Sequence, residues 1–249
     1  MNHSSDLRIF PDRDALFQGA ADEFVRQANA SVADHGRFTV ALAGGSTPKG
    51  LYSRLATNSA LPWDKIYFFF GDERHVPPDD PESNYLMARE ALLSKAPIPA
   101  QNIFRVPAEN PDAAQGAQAY EKTLRQFFNS PILPRFDLIL LGMGPDGHTA
   151  SLFPGSKALQ EKSRWVVSNW VEKFKTDRIT FTLPVLNNAA VVMFLAAGED
   201  KTETLKEVLQ GTKPGGQFPS KLVRPADGKL IWMVDNAAAG ALSGSSAAH

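Results

Sequence analysis

Four short apolar runs, FTVALA (38–43), IYFFF (66–70), FDLILL (136–141) and AVVMFLAA (190–197), each pass directly into a glycine-bearing loop. An element of five to eight residues with no polar alternation is too short for a stable helix and has no face to give to water. It reads as a strand buried on both sides, the signature of a parallel sheet covered by helices. Parallel neighbours need crossover connections, and helical patterns lie between these runs. Leu16, Phe17, Ala20, Ala21, Phe24, Val25, Ala28 and Val32 recur at helical spacing. YLMAREALL, a long segment ending at Phe128 with Asn110-Pro111 as its N-cap and first position, and TETLKEVLQ closed by Gly211 read as further helices. KIYFFFGDER (65–74), NIFRVP (102–107), FDLILLG (136–142), WVVSNWV (165–171), RITFTLPVL (178–186) and KLIWMVD (229–235) read as strands with their loops. The expected class is therefore α/β with a mainly parallel sheet. One domain over residues 1–249 is expected, with a frayed small-residue tail from Ala237.

With 26 basic against 27 acidic residues, the chain has no global field to draw nucleic acid or an anionic membrane, so an anionic ligand must be held by local groups. The absence of cysteine excludes a thiolate nucleophile or thiolate metal site and fits a reducing compartment. MNHSSDLRIFPDRD lacks the apolar region of a signal peptide, and no apolar run reaches membrane-spanning length. A soluble cytoplasmic protein is the expectation.

Ligands of open α/β sheets bind beyond the carboxyl ends of the strands, and three loops there carry chemistry. In Gly44-Gly45-Ser46-Thr47-Pro48 the glycines permit close approach, Thr47 reads as a helix cap and Pro48 as the first helical residue, leaving amides to face a phosphate. A capped turn without ligand is the alternative. Gly71-Asp72-Glu73-Arg74 places a guanidinium where it can stabilise charge developing on oxygen, or simply pair with Asp72 or Glu73. Gly142-Met143-Gly144-Pro145-Asp146-Gly147-His148 matches the dinucleotide spacing G-x-G-x-x-G, with Glu172 near the place of a ribose-binding acid. Asp146, however, would oppose a pyrophosphate. Of five histidines only His75 and His148 are placed for chemistry, and His148 suits a general base on water, with a purely structural role as the alternative. No Gly-x-Ser-x-Gly elbow, catalytic-zinc spacing or basic aromatic stripe is present.

Together LAGGSTP (42–48), GDERHVPPDDPESNY (71–85), LGMGPDGHTASLFPGS (141–156), DRITFTLPVLNNA (177–189) and AAGEDK (196–201) resemble the motifs of the 6-phosphogluconolactonase family. That family shares a superfamily with the glucosamine-6-phosphate deaminases. The deaminases typically carry Asp-Glu-Tyr and Phe-Asn-Glu-Pro where this chain has Asp72-Glu73-Arg74 and Ser151-Leu152-Phe153-Pro154, and both differences favour the lactonase. The resemblance implies a Rossmann-like three-layer sandwich of the sugar-phosphate isomerase/deaminase type. It also implies a phosphorylated sugar lactone as substrate, no cofactor and no metal. His148, Asp146 and Arg74 are then the catalytic candidates. Gly44, Gly45, Ser46, Thr47, Asp72, Arg178 and Lys201 are the substrate- and phosphate-binding candidates. Asp146 either orients the imidazole or touches substrate hydroxyls. Arg178 either binds phosphate or pairs with Asp177 or Glu172. A monomer or small homo-oligomer is expected.

Overall fold

The computed structural model describes residues 5–242. Nine strands are found among them: β1 (Asp6–Phe10), β2 (Phe38–Leu42), β3 (Ile66–Phe70), β4 (Asp72–Arg74), β5 (Leu138–Gly142), β6 (Val166–Val171), β7 (Thr176–Phe181), β8 (Val191–Ala196) and β9 (Lys229–Asp235). The helices are α1 (Arg13–His35), α2 (Ser46–Leu55), α3 (Asn84–Ala88), α4 (Ala113–Phe128), α5 (Leu183–Leu186), α6 (Thr202–Gln210) and α7 (Asn236–Ala239).

Six strands form one sheet in the order β1-β9-β8-β5-β2-β3, and every pairing in it is parallel. The α/β class is as the apolar runs require. Every residue of β2 and of β8 is buried, which is why neither shows an alternating pattern. Neighbouring strands interlock through matched side chains: Phe194 of β8 faces Trp232 of β9 in register, their rings parallel with centroids 3.9 Å apart. A second aromatic cluster joins Phe69 and Phe136 of the sheet region to Phe127 and Phe128 at the end of α4.

The winding places the site. After β2 the chain adds β3 on one side, then returns to add β5 on the other. The strand order reverses between β2 and β5, so a crevice opens there at their carboxyl ends. The loops leaving those two strands are the Gly-Gly-Ser-Thr-Pro and Asp-Gly-His segments.

Several expectations are corrected. KIYFFFGDER is two strands in two sheets. The Gly71 amide bonds Leu42 of the large sheet while its carbonyl accepts from Phe181, and β4 pairs with β7 and β6 in a separate antiparallel sheet. RITFTLPVL likewise ends as a strand at Phe181, before the short helix α5 that contains its Pro. NIFRVP forms only an isolated bridge at Ile103 to Phe68. The cap of α4 is Asp112, whose carboxylate accepts from the Ala114 and Gln115 amides, two residues later than Asn110-Pro111 suggested. YLMAREALL gives α3 and then a wider turn over Arg89–Leu93. Gly211 ends α6 in extended, not left-handed, conformation. β1 carries no strand signal in the reading above, yet it completes the sheet on β9. Residues 237–239 of the expected frayed tail belong to α7, with Ala238 and Ala239 buried, while residues 243–249 lie outside the described residues.

Candidate active site

The crevice is a cleft of about 300 Å³, lined on one side by Gly44, Gly45, Ser46 and Thr47 and on the other by Gly144, His148 and Phe153. Asp72, Arg74, Asn84, Arg178 and Lys201 also line it. Except for Asp146, every site residue expected from the sequence reaches this one cavity.

The Gly-rich loop is built to leave amides free. Gly45 has φ 104° and ψ 169°, a backbone region open to glycine alone. Gly44 lacks a Cβ for a different reason: one would stand 1.9 Å from the Asn84 Oδ1. Contrary to the expected Thr47 cap, α2 starts at Ser46 behind Gly45, and no side chain caps it. The positive end of the helix therefore faces the cleft without an internal acceptor, the arrangement that suits an anion.

The Asp-Gly-His loop uses its three glycines in a way a dinucleotide loop does not. Gly142 ends β5. A Cβ on Gly144 would lie 2.1 Å from two atoms of the His148 ring, so the glycine makes room for the imidazole. Gly147 turns the chain at φ 77°. Its carbonyl accepts from both the amide and the hydroxyl of Ser220 at 2.9 Å, and Thr204 Oγ1 donates to the Pro145 carbonyl at 2.6 Å. The loop is thereby fastened to two other segments of the chain. Glu172 sits on the exposed β6–β7 turn, paired with Lys175 and accepting from Trp170 Nε1. It does not line the cleft, where a ribose-binding acid would have to stand.

His148 Nδ1 lies 2.5 Å from Asp146 Oδ1. Partial burial raises the Asp146 carboxyl, but the hydrogen bond and charge of His148 outweigh it and hold the pKa at about 2. Asp146 is thus ionised at neutral pH and accepts from Nδ1–H, which leaves the Nε2 lone pair of the ring as the basic site. Asp146 itself lines a neighbouring groove with Glu203, Lys206 and Phe218 and is absent from the cleft wall. Of its two expected roles, orienting the imidazole is the one this geometry supports. His75, the other candidate, bonds the Asn110 carbonyl at 2.7 Å through Nε2. His35 pairs with Asp137 at 2.9 Å at the far end of α1, and His3 and His249 lie outside the described residues.

The cations behave as ligand seekers. Arg178, on β7 and only 8% exposed, has Nε and Nη1 buried without a hydrogen-bond partner. It stands directly opposite Arg74 in the β4–β7 ladder. Burial first, then the charge of Arg74, push its guanidinium below the ordinary value, and Asp72 offsets this only in part. The expected alternative, pairing with Asp177 or Glu172, does not occur. Arg74 pairs with neither Asp72 nor Glu73 through its side chain; Nη1 donates to the Glu82 carbonyl. Lys201, just ahead of α6, bonds Asp200 at 2.7 Å. The unspent donors of the Arg178 guanidinium make a seat for an oxyanion.

Further side chains complete or brace the wall. Glu73, 2% exposed, accepts from the amides of Arg74, Asn84 and Tyr85 at 2.7–2.8 Å; burial nevertheless keeps its carboxyl above the usual range. It staples the Ser83–Tyr85 turn against β4. Asp72 accepts from Ser151 Oγ at 2.6 Å, and Asn169 Nδ2 donates to the Ser151 carbonyl at 2.8 Å. Asn84, Ser151 and Phe153 all fall inside the motifs quoted above, but nothing in their spacing tells which side chain faces inward. Among the described residues no group of three or more His, Asp or Glu side chains is placed to hold a metal ion. No helix among them is long and apolar enough to cross a membrane.

Residues 11–232 match the family model described as glucosamine-6-phosphate isomerases/6-phosphogluconolactonase. The chain belongs to this family. Among curated relatives, a 6-phosphogluconolactonase of Nostoc sp. is 44% identical over 239 residues, covering 95% of this chain and 98% of that protein. One from Bos taurus is 40% identical over 94% of this chain and 92% of its own. The solved structure of 6-phosphogluconolactonase from Trypanosoma brucei superposes with a TM-score of 0.88 at 30% identity, covering 97% of this chain and all of that one. A monomeric glucosamine-6-phosphate deaminase shares the fold at TM-score 0.80 and 19% identity over 95% of this chain and 99% of its own. The deaminase thus shows the same architecture, and the named relatives at 30% identity or more are lactonases.

Proposed function

We propose that the chain hydrolyses 6-phospho-D-glucono-1,5-lactone to 6-phospho-D-gluconate, the lactonase step of the oxidative pentose phosphate pathway. The observation that carries this reading is one cleft holding both an oriented imidazole and an unpartnered buried guanidinium. The relatives named as lactonases support the substrate. The phosphate sits between the free amides of the Gly44–Thr47 loop, Arg178 and Lys201, which fixes the lactone carbonyl near His148. His148 Nε2 takes a proton from water, and the oxygen of that water attacks C1. Arg74 or loop amides stabilise the resulting oxyanion. Collapse breaks the bond from C1 to the ring oxygen, which receives the proton from the imidazolium. The product acid then ionises in solvent. Asp146 holds the imidazole tautomer throughout, and Asp72 accepts from a sugar hydroxyl.

The same reading has the chain act as one α/β unit over residues 1–249, in the cytoplasm. It works on a free sugar phosphate with no nucleic acid or membrane partner, as a monomer or small homo-oligomer. The test is acid release from freshly made 6-phosphoglucono-δ-lactone, measured above the spontaneous background and beside the unphosphorylated lactone. His148→Ala should lose most turnover and still bind 6-phosphogluconate. Parent-rate hydrolysis by that variant removes the base assignment, and ammonia release from glucosamine 6-phosphate would move the chain to the other branch of the family.

A further inference from the structure

We infer that Phe153 is a positioning residue for the catalytic base, setting the plane of the His148 ring that Asp146 alone leaves undetermined. The inference rests on the proposed role of His148. The side chain of His148 makes one hydrogen bond, Nδ1 to Asp146 Oδ1. The imidazole turns about two torsions, χ1 and χ2, and one hydrogen-bond distance restrains only one combination of them. Coupled rotation that keeps Nδ1 within reach of Asp146 still tilts the ring and moves Nε2, while attack on the lactone carbonyl requires the bound water at one point. A second contact must fix the plane. The Phe153 ring supplies it, stacked on the imidazole with centroids 4.2 Å apart and planes 25° apart. The Gly144 Cα borders the imidazole as well.

Phe153 is itself well placed to act as a fixed surface. It is 9% exposed. It follows the Thr149–Leu152 bridge, and its carbonyl accepts from Ser156 N at 3.1 Å. Its ring is braced edge-on by Phe174 at 6.0 Å and 75°. Phe174, in turn, lies 5.3 Å from the Arg178 guanidinium. A leucine at 153 would fill much of the space and keep the site apolar, but it offers no flat face, so the imidazole gains rotational freedom.

The experiment compares Phe153→Leu, Phe153→Tyr and His148→Ala with the parent in steady-state lactone hydrolysis, alongside 6-phosphogluconate binding by calorimetry and the far-UV and thermal signature of folding. The expected result is a fall in kcat of about 10- to 100-fold for Phe153→Leu, the scale of small misplacements of a reacting group. KM and product affinity should stay within about twofold, with kcat restored by the planar ring of Phe153→Tyr. A merely structural role predicts instead that kcat and product affinity fall together with folding, and that outcome overturns the inference. So does parent kcat in a folded Phe153→Leu while His148→Ala is inactive. Parent activity in His148→Ala would remove the underlying assignment of the base.

Discussion

Replacing Arg178 with methionine should make the ligand-free protein more stable and the enzyme worse. The guanidinium is 8% exposed, and two of its nitrogens are buried with no partner. A buried donor left unsatisfied costs about 1–3 kcal/mol, more when charged, and the neighbouring Arg74 adds repulsion across the β4–β7 ladder. Methionine is of similar length and keeps a favourable contact with the Phe174 ring, 5.3 Å from the guanidinium it replaces. The variant should therefore gain about 1–3 kcal/mol without ligand, a rise in Tm of roughly 2–12 °C for a chain of this size. On the proposed reading the same donors are satisfied by phosphate in the complex. Losing a charge-assisted contact worth about 1.5–3 kcal/mol should lower kcat/KM by about 10- to 150-fold. The assay pairs thermal unfolding, with and without 6-phosphogluconate, with steady-state kinetics. Product should raise the Tm of the parent and do so much less for the variant. A variant that is less stable than the parent and retains its kcat/KM would refute the reasoning, because Arg178 would then be a structural cation.

Asp146→Asn should keep the fold and lower kcat by about 100-fold, since an amide can present its NH2 to Nδ1 and stabilise the wrong tautomer; unchanged kcat would exclude the orienting role. Because the Asp146 carboxyl is held at about 2, below its ordinary 3.8, its pairing with His148 stabilises the fold above the ordinary value and is lost as pH falls from about 4 towards 2. Urea midpoints of parent and Asp146→Asn should converge across that window, and a constant gap would contradict the linkage. Gly144→Ala drives a methyl into the imidazole at 2.1 Å and should lower kcat by at least about tenfold, read against product affinity by calorimetry, which should hold. Lys201→Ala should chiefly raise KM, and steady-state kinetics with both parameters unchanged would place the phosphate elsewhere.

The chemistry of this protein was legible one loop at a time. Free amides at Gly44–Thr47, an imidazole after Asp146-Gly147 and a guanidinium at Arg74 are local facts, and strand ends are where an α/β sheet gathers such loops. Buried parallel strands also announce themselves, because a run such as VVMFLA has no reason to be uniformly apolar unless both its faces are covered. The short antiparallel sheet was not legible. Asp72-Glu73-Arg74 reads as the continuation of β3, and only the hydrogen bonds of Gly71 to two different sheets divide it. Pairing across a hundred residues has no local signature, and neither does burial. The sequence by itself determined the class of fold and the kinds of group brought to the cleft. Tertiary structure decided that Arg178 lies beside Arg74 with no carboxylate paired to it, that Asp146 turns away from the cleft to hold His148, and that Phe153 lies flat on the imidazole. The physical reason is that a motif specifies side chains and backbone freedom, while partnership and orientation depend on which distant strand comes to lie alongside.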